Sequence, residues 1–130
     1  MGKSERTELH NAIIEGKNDV ARELVLSEKI DINAQDEQGY TPLHAASKCR
    51  RVEVVELLLE KGADTSLLDA WGITALWRAL GQSDECNEII KLLLAHGVDP
   101  AMKNLSGVSV LDHVKKIKTH PNRELFEEWL

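Results

Sequence analysis

Two short motifs recur in step along the chain, and this constrains the fold more than any other feature of the sequence. Gly39-Tyr40-Thr41-Pro42-Leu43-His44-Ala45-Ala46 realigns on Gly72-Ile73-Thr74-Ala75-Leu76-Trp77-Arg78-Ala79. Gly107-Val108-Ser109-Val110-Leu111-Asp112-His113-Val114 is a third copy. The leucines at 9, 43, 76 and 111 are separated by 34, 33 and 35 residues. A second motif follows the first at a set distance: Glu56-Leu57-Leu58-Leu59-Glu60-Lys61-Gly62-Ala63-Asp64 matches Lys91-Leu92-Leu93-Leu94-Ala95-His96-Gly97-Val98-Asp99. A fixed period of this length marks a chain of stacked supersecondary units, each burying its apolar face only against its neighbours.

Within one unit the residues read as two helices. Thr41 can cap the first, and Pro42 opens it where a missing N–H costs nothing. Leu43, Ala45 and Ala46 give that helix a narrow apolar face, and a loop over 48–51 ends it. Val52, Val54, Val55, Leu57, Leu58 and Leu59 form a second, more apolar helix, stopped by Gly62. Each helix spans about ten residues, too few to persist alone in water. Stability must come from stacking, which needs at least about three units.

The hexad Thr41-Pro42-Leu43-His44-Ala45-Ala46, with Lys61-Gly62-Ala63-Asp64 behind it, resembles the ankyrin repeat. The resemblance covers nearly the whole chain. It implies an all-α solenoid of stacked helix-turn-helix units with short hairpin-like loops. One domain, 1–130, would hold four repeats at about 4–35, 36–68, 69–103 and 104–130. The outer two are degenerate, as capping repeats are. Repeat 3 carries two extra residues around Gly81–Cys86, and has Ala75 and Trp77 where repeat 2 has Pro42 and His44. The same two positions are Val110 and Asp112 in repeat 4, and Glu8 and His10 in repeat 1. Repeat 1 has Glu28-Lys29-Ile30-Asp31 in place of the glycine turn. Pro121 is expected to open a terminal helix whose Leu125, Phe126, Trp129 and Leu130 cover the last core layer.

Composition narrows the function. Hydrophobic residues make up 42% and charged residues 29%, an ordinary globular balance. The net charge of −6 argues against nucleic-acid binding, which relies on Lys and Arg to neutralise phosphates. The clusters Lys115, Lys116, Lys118 and Lys48, Arg50, Arg51 lack interleaved aromatics and read as solvated surface. Cys49 and Cys86 are too few for a disulfide framework and are expected to be free thiols, as in a reducing compartment. The N-terminus is charged and lacks the apolar core of a signal peptide. Gly2 after Met1 is weak support for myristoylation. No apolar run approaches the roughly 20 residues of a membrane span. A cytoplasmic monomer without membrane attachment is the expectation.

Catalysis finds no support in the motifs. The resemblance makes His10 and His44 structural residues whose rings bond nearby backbone, and His113 and His120 look isolated. No HExxH or CxxC spacing suggests a metal, and no GxGxxG or GxxxxGK[ST] suggests a phosphate cradle, so no cofactor is expected. Asp112 and His113 are adjacent on a helix and point in different directions. Trp77, in the place of the bracing histidine, is expected to be buried packing.

What remains is a binding surface. Ankyrin-like proteins bind partners at hairpin tips and on the concave face of the first helices. By motif position these are Glu37, Gln38 and Tyr40, then Ala70, Trp71 and Ile73, then Leu105, Ser106 and Val108, with Lys48, Cys49 and Gln82 at the ends of first helices. Tyr40, Trp71 and Ile73 are expected to form an apolar centre rimmed by Glu37, Gln38, Lys48 and Arg78. The negative net charge favours a protein partner with a basic surface. The reading is an interaction module, an adaptor or stoichiometric inhibitor (an immunity protein against a secreted toxin is one form). The alternatives are a self-assembling structural repeat protein, or, with less support, an enzyme or an enzyme's regulatory subunit.

Overall fold

The computed structural model describes residues 6–130; Gly2 and the start of the first repeat lie outside the described residues. The described residues fold into seven α-helices and a terminal 3-10 helix. The α-helices are α1 (Glu8–Glu15), α2 (Asn18–Ser27), α3 (Pro42–Lys48), α4 (Val52–Glu60), α5 (Ala75–Ala79), α6 (Asp84–Ala95) and α7 (Val110–Lys116); the 3-10 helix is Arg123–Trp129. They form four units: α1 with α2, α3 with α4, α5 with α6, and α7 with the 3-10 helix. The first helices α1, α3 and α5 stack in one row and the second helices α2, α4 and α6 in another. An isolated bridge between Lys103 and Ser109 is the only extended pairing among the described residues.

The first helices start where the sequence places their caps. Thr7, Thr41 and Ser109 each accept a bond from the backbone N–H three residues on, and that third residue bonds back to the cap backbone. Asp112 closes this box on Ser109, so its departure from histidine preserves the capping function. At the end of α2, Glu28 adopts φ 57°, the left-handed conformation that Gly62 and Gly97 supply after α4 and α6. The chain thus makes the same turn without glycine, at a cost of about 1 kcal/mol.

One apolar core runs through the stack. Leu9, Ile13, Leu43, Leu58, Leu76, Ile89, Ile90 and Leu93 are almost wholly buried in it. Phe126 closes it and is fully buried. The terminal element departs from expectation in two ways: it is a 3-10 helix beginning at Arg123, after a turn that holds Pro121, and Leu130 stays exposed. Cys49 and Cys86 are free thiols.

The loops between units share one geometry. In the first, the Asp36 carboxylate accepts the N–H groups of Gln38 and Tyr40, both at 2.9 Å. In the second, Asp69 accepts those of Trp71 (2.9 Å) and Ile73 (3.1 Å); in the third, Asn104 accepts those of Ser106 and Val108. The first two loops are tied directly, Ala70 N–H donating to the Gln38 carbonyl at 2.9 Å. Gly39 makes this approach possible: a Cβ there would lie 2.5 Å from the Ala70 nitrogen.

Candidate functional site

The two histidines brace neighbouring units. His44 Nε2 lies 2.8 Å from the Ile73 carbonyl in the next unit, and His10 Nε2 lies 2.7 Å from the Tyr40 carbonyl. A carbonyl only accepts, so Nε2 carries the proton and Nδ1 accepts from the threonine hydroxyl at 2.8 Å. Both rings are buried and committed to structure. Burial holds the His44 imidazole below its usual value of 6.5, partly opposed by the Ile73 bond and the Asp69 charge.

Above this brace sits a cluster of aromatic rings and cations. The Tyr40 ring stacks on His44 (centroids 5.8 Å apart, planes at 12°) and meets Trp71 at 6.3 Å. Arg78 lies over both rings, 5.2 Å from the Tyr40 centroid and 5.6 Å from that of Trp71. Its guanidinium is clamped by the fully buried Asp69 carboxylate, with Nε at 3.0 Å and Nη2 at 2.8 Å from Oδ2. The same carboxylate shapes the Trp71 loop through Oδ1, so one residue positions both the tryptophan and the cation packed on it. Lys48 also lies over Tyr40, with Nζ 5.4 Å from the ring centroid. Arg–aromatic stacking of this kind contributes roughly 0.5–2 kcal/mol per contact and fixes ring orientation.

The structure redistributes the expected site residues. Tyr40 is only 6% exposed, so it is the floor of the patch and not part of its surface; its ring is covered by Trp71, Arg78 and Lys48. Arg78 is not a free rim charge, because Asp69 neutralises it within the cluster. Trp71 is 55% exposed on its hairpin tip, and Leu105 is 77% exposed on the next. Leu105 leans over Gly72, whose missing side chain leaves room for it. Val108, Glu37, Gln38, Ala70, Lys48 and Gln82 are exposed, and Ile73 is half-buried. Gln82 lies in the loop between α5 and α6. Asp36 and Asp69 escaped the sequence reading, although an aspartate three residues before the turn glycine recurs in step at Gly39 and Gly72.

His113 and His120 are not isolated: their rings meet edge-on at 5.2 Å, and Trp77 lies 5.4 Å from His113. Burial, and then the neighbouring His113, hold His120 below its usual value of 6.5. Trp77 is packed against the core but half-buried, and its indole nitrogen is buried without a partner. Among the described residues no group of three or more His, Cys, Asp or Glu is placed to hold a metal, and no helix is long and apolar enough to cross a membrane.

Charge is divided between the two rows of helices. Three residues before each repeat leucine stand Arg6, Tyr40, Ile73 and Val108; two after it, Asn11, Ala45, Arg78 and His113; five after it, Ile14, Lys48, Gly81 and Lys116. These inner positions carry Arg6, Lys48, Lys116 and the Asp69-paired Arg78, and no carboxylate. A groove of about 240 Å³ brings Arg6, Ile14, Tyr40, Ala45, Lys48 and Cys49 together with Gln38 and the buried carboxylate of Asp36. The second helices have the opposite sign: Asp19, Glu23, Glu53, Glu56, Glu60, Asp84, Glu85 and Glu88 outnumber Arg22 and Lys91. The expectation of a basic partner rested on the net charge. Much of that negative charge lies on the second helices, away from the inner positions around Trp71.

The stacked units, their shared loop geometry and the histidine braces agree with comparison to known proteins. The model of the ankyrin repeats family, in three copies, matches residues 9–104. The chain belongs to the ankyrin repeat family. Among ankyrin relatives it is 36% identical over 87 residues to ankyrin repeat protein FPV219 of fowlpox virus, covering 67% of this chain and 20% of that protein. It is 31% identical over 104 residues to an ankyrin repeat-containing protein of Treponema pallidum, covering 80% and 34%. It is 36% identical over 123 residues to the SMC5-SMC6 complex localization factor protein 1 of Bos taurus, covering 92% and 11%. The chain therefore spans about a third or less of the length of these relatives. Ankyrin repeats mediate protein–protein interaction, and this ankyrin chain presents its exposed aromatic on a hairpin tip.

Proposed function

We propose that this chain acts by occupying a surface of another protein, as adaptor or stoichiometric inhibitor, through its hairpin tips and the inner face of its first helices. The observation that carries this reading is Trp71: more than half exposed, yet held in place by Arg78, which is itself clamped by a buried carboxylate. An exposed tryptophan loses little conformational freedom on binding when it is already ordered, which is what a hot-spot residue requires. Leu105 and Val108 extend the apolar surface along the next tip.

The test is affinity capture from cells that contain the protein, using wild type, Trp71→Ala, and Val20→Ala on the outer helix α2 as a control. A captured partner should be weakened by about thirtyfold with Trp71→Ala, equivalent to roughly 2 kcal/mol, and unaffected by Val20→Ala. A partner held equally by wild type and Trp71→Ala would move the docking surface off the hairpin tips.

A further inference from the structure

Cations without a carboxylate partner stand at the inner positions of the first helices although the chain is acidic. Among the described residues the ion pairs are Glu15–Lys17, Asp69–Arg78 and Asp112–Lys103, so Lys48 and Lys116 have no carboxylate partner. Lys48 is exposed, but its position is set by Tyr40, whose ring lies under Nζ and whose hydroxyl is 3.5 Å from it. It shares the 240 Å³ groove with Arg6 and with the buried Asp36, whose carboxylate already accepts the Gln38 and Tyr40 N–H groups. Glu37 is the exposed carboxylate on the tips, where it lines a pocket with Arg6 and Asp36, and Glu15 is already paired with Lys17.

We infer that the segment docking beside Trp71 is an acidic stretch of protein, with carboxylates facing Arg6, Lys48 and Lys116 and an apolar side chain against Trp71. This deepens the docking face proposed above and depends on it. A basic segment there would bring like charges together as water is excluded, a juxtaposition that suppresses association. An acidic one gains partners for ammonium groups that have none. The carboxylates of the second helices add to the effect, because they repel an acidic partner from the outer row and steer it to the inner one. The arrangement favours protein over nucleic acid. The inner cations come about one per unit, not as a continuous phosphate track, and Trp71 is the one large exposed aromatic among the described residues.

The experiment uses fluorescein-labelled peptides in polarisation titrations: one alternating Glu with Leu and Phe, and the same peptide with Lys in place of Glu. An oligothymidylate of similar length is titrated alongside. The glutamate peptide should bind, at least tenfold tighter than the lysine peptide, and weaken as salt rises from about 0.05 to about 0.3 M. The variant Lys48→Glu/Lys116→Glu, checked for native helicity, should lose at least tenfold in affinity for the glutamate peptide.

Equal or tighter binding of the lysine peptide, no effect of the charge reversal, or no binding of either peptide overturns the inference. If charge makes no difference but Trp71→Ala abolishes peptide binding, the docking face stands and only its acidic preference falls. If neither Trp71→Ala nor the charge reversal alters binding, both fall. Tighter binding of the oligothymidylate would make the anionic partner a nucleic acid and overturn the assignment to protein.

Discussion

The junction between the second and third units and that between the third and fourth solve one problem in two ways. At the first, α3 reaches forward: His44 bonds the Ile73 carbonyl, Ala70 N–H bonds the Gln38 carbonyl, and Gln35 reaches the Leu68 carbonyl. At the second, α5 carries Trp77 in the histidine's place, and its indole nitrogen makes no bond. The link is made instead from the chain's far end. Asn122, fully buried, accepts the Gly81 N–H at 3.0 Å, and donates to the Gly81 carbonyl at 2.8 Å and to Asn87 at 2.9 Å. The forward brace holds the loops that carry the Tyr40–Trp71 cluster. The backward clamp holds the longer α5–α6 loop, which has no such cluster. The proposed docking residues thus straddle the two units that the forward brace ties together.

Breaking the forward brace should have the largest effect. His44→Ala removes a buried side chain and leaves the Thr41 N–H and one bond to the Ile73 carbonyl unsatisfied, for an expected loss of about 3 kcal/mol in urea unfolding. The brace should also be sensitive to acid. The folded state holds His44 below 6.5, so the unfolded chain takes up a proton first. Its contribution is complete above pH 6.5 and is lost as pH falls from there through the lowered folded value. His120 acts in the same direction. The urea midpoint should therefore drop between about pH 7.5 and about pH 5.5, and drop less in His44→Ala. An identical drop in the variant would show that His44 does not carry the acid sensitivity.

Breaking the backward clamp should come second and be more local. Asn122→Ala strands both polar groups of Gly81, at a cost of about 2 kcal/mol. Amide hydrogen exchange should rise around residues 81–87 and α7, while α1 to α4 keep their protection. Uniform loss of protection along the chain would mean that the two junctions do not open separately.

The two junctions also differ in how much the sequence disclosed. Period, caps and the glycine turns were legible because each depends on neighbouring residues: Thr41 and Pro42 set α3, Gly62 ends α4, and the core leucines recur in register. The exposed tryptophan was legible as well, as a large apolar residue on a tip that should be polar. The Asn122 clamp was not, because it joins residues 41 positions apart at no repeating distance. Tyr40 was misplaced for a related reason. Its tip position suggests exposure, but three partners from two units fold over it, and Arg78 is there only because Asp69 holds it. Charge distribution was not legible either: a net value contains nothing about which row of helices carries it.

Trp77 gives the finest test of the contrast and the smallest expected effect. If the third junction has given up the forward brace, the indole N–H contributes nothing there and is a buried donor without an acceptor. Trp77→Phe keeps an aromatic ring against the core and His113 while removing that donor. The lost ring area and the relieved donor oppose each other, so stability should stay within about 1 kcal/mol of wild type. Thermal unfolding with wild type and Trp77→Phe side by side measures this directly. A loss approaching that of His44→Ala would mean that the indole N–H does bridge units three and four. The two junctions would then be variants of one forward brace, and the Asn122 clamp an addition to it instead of its replacement.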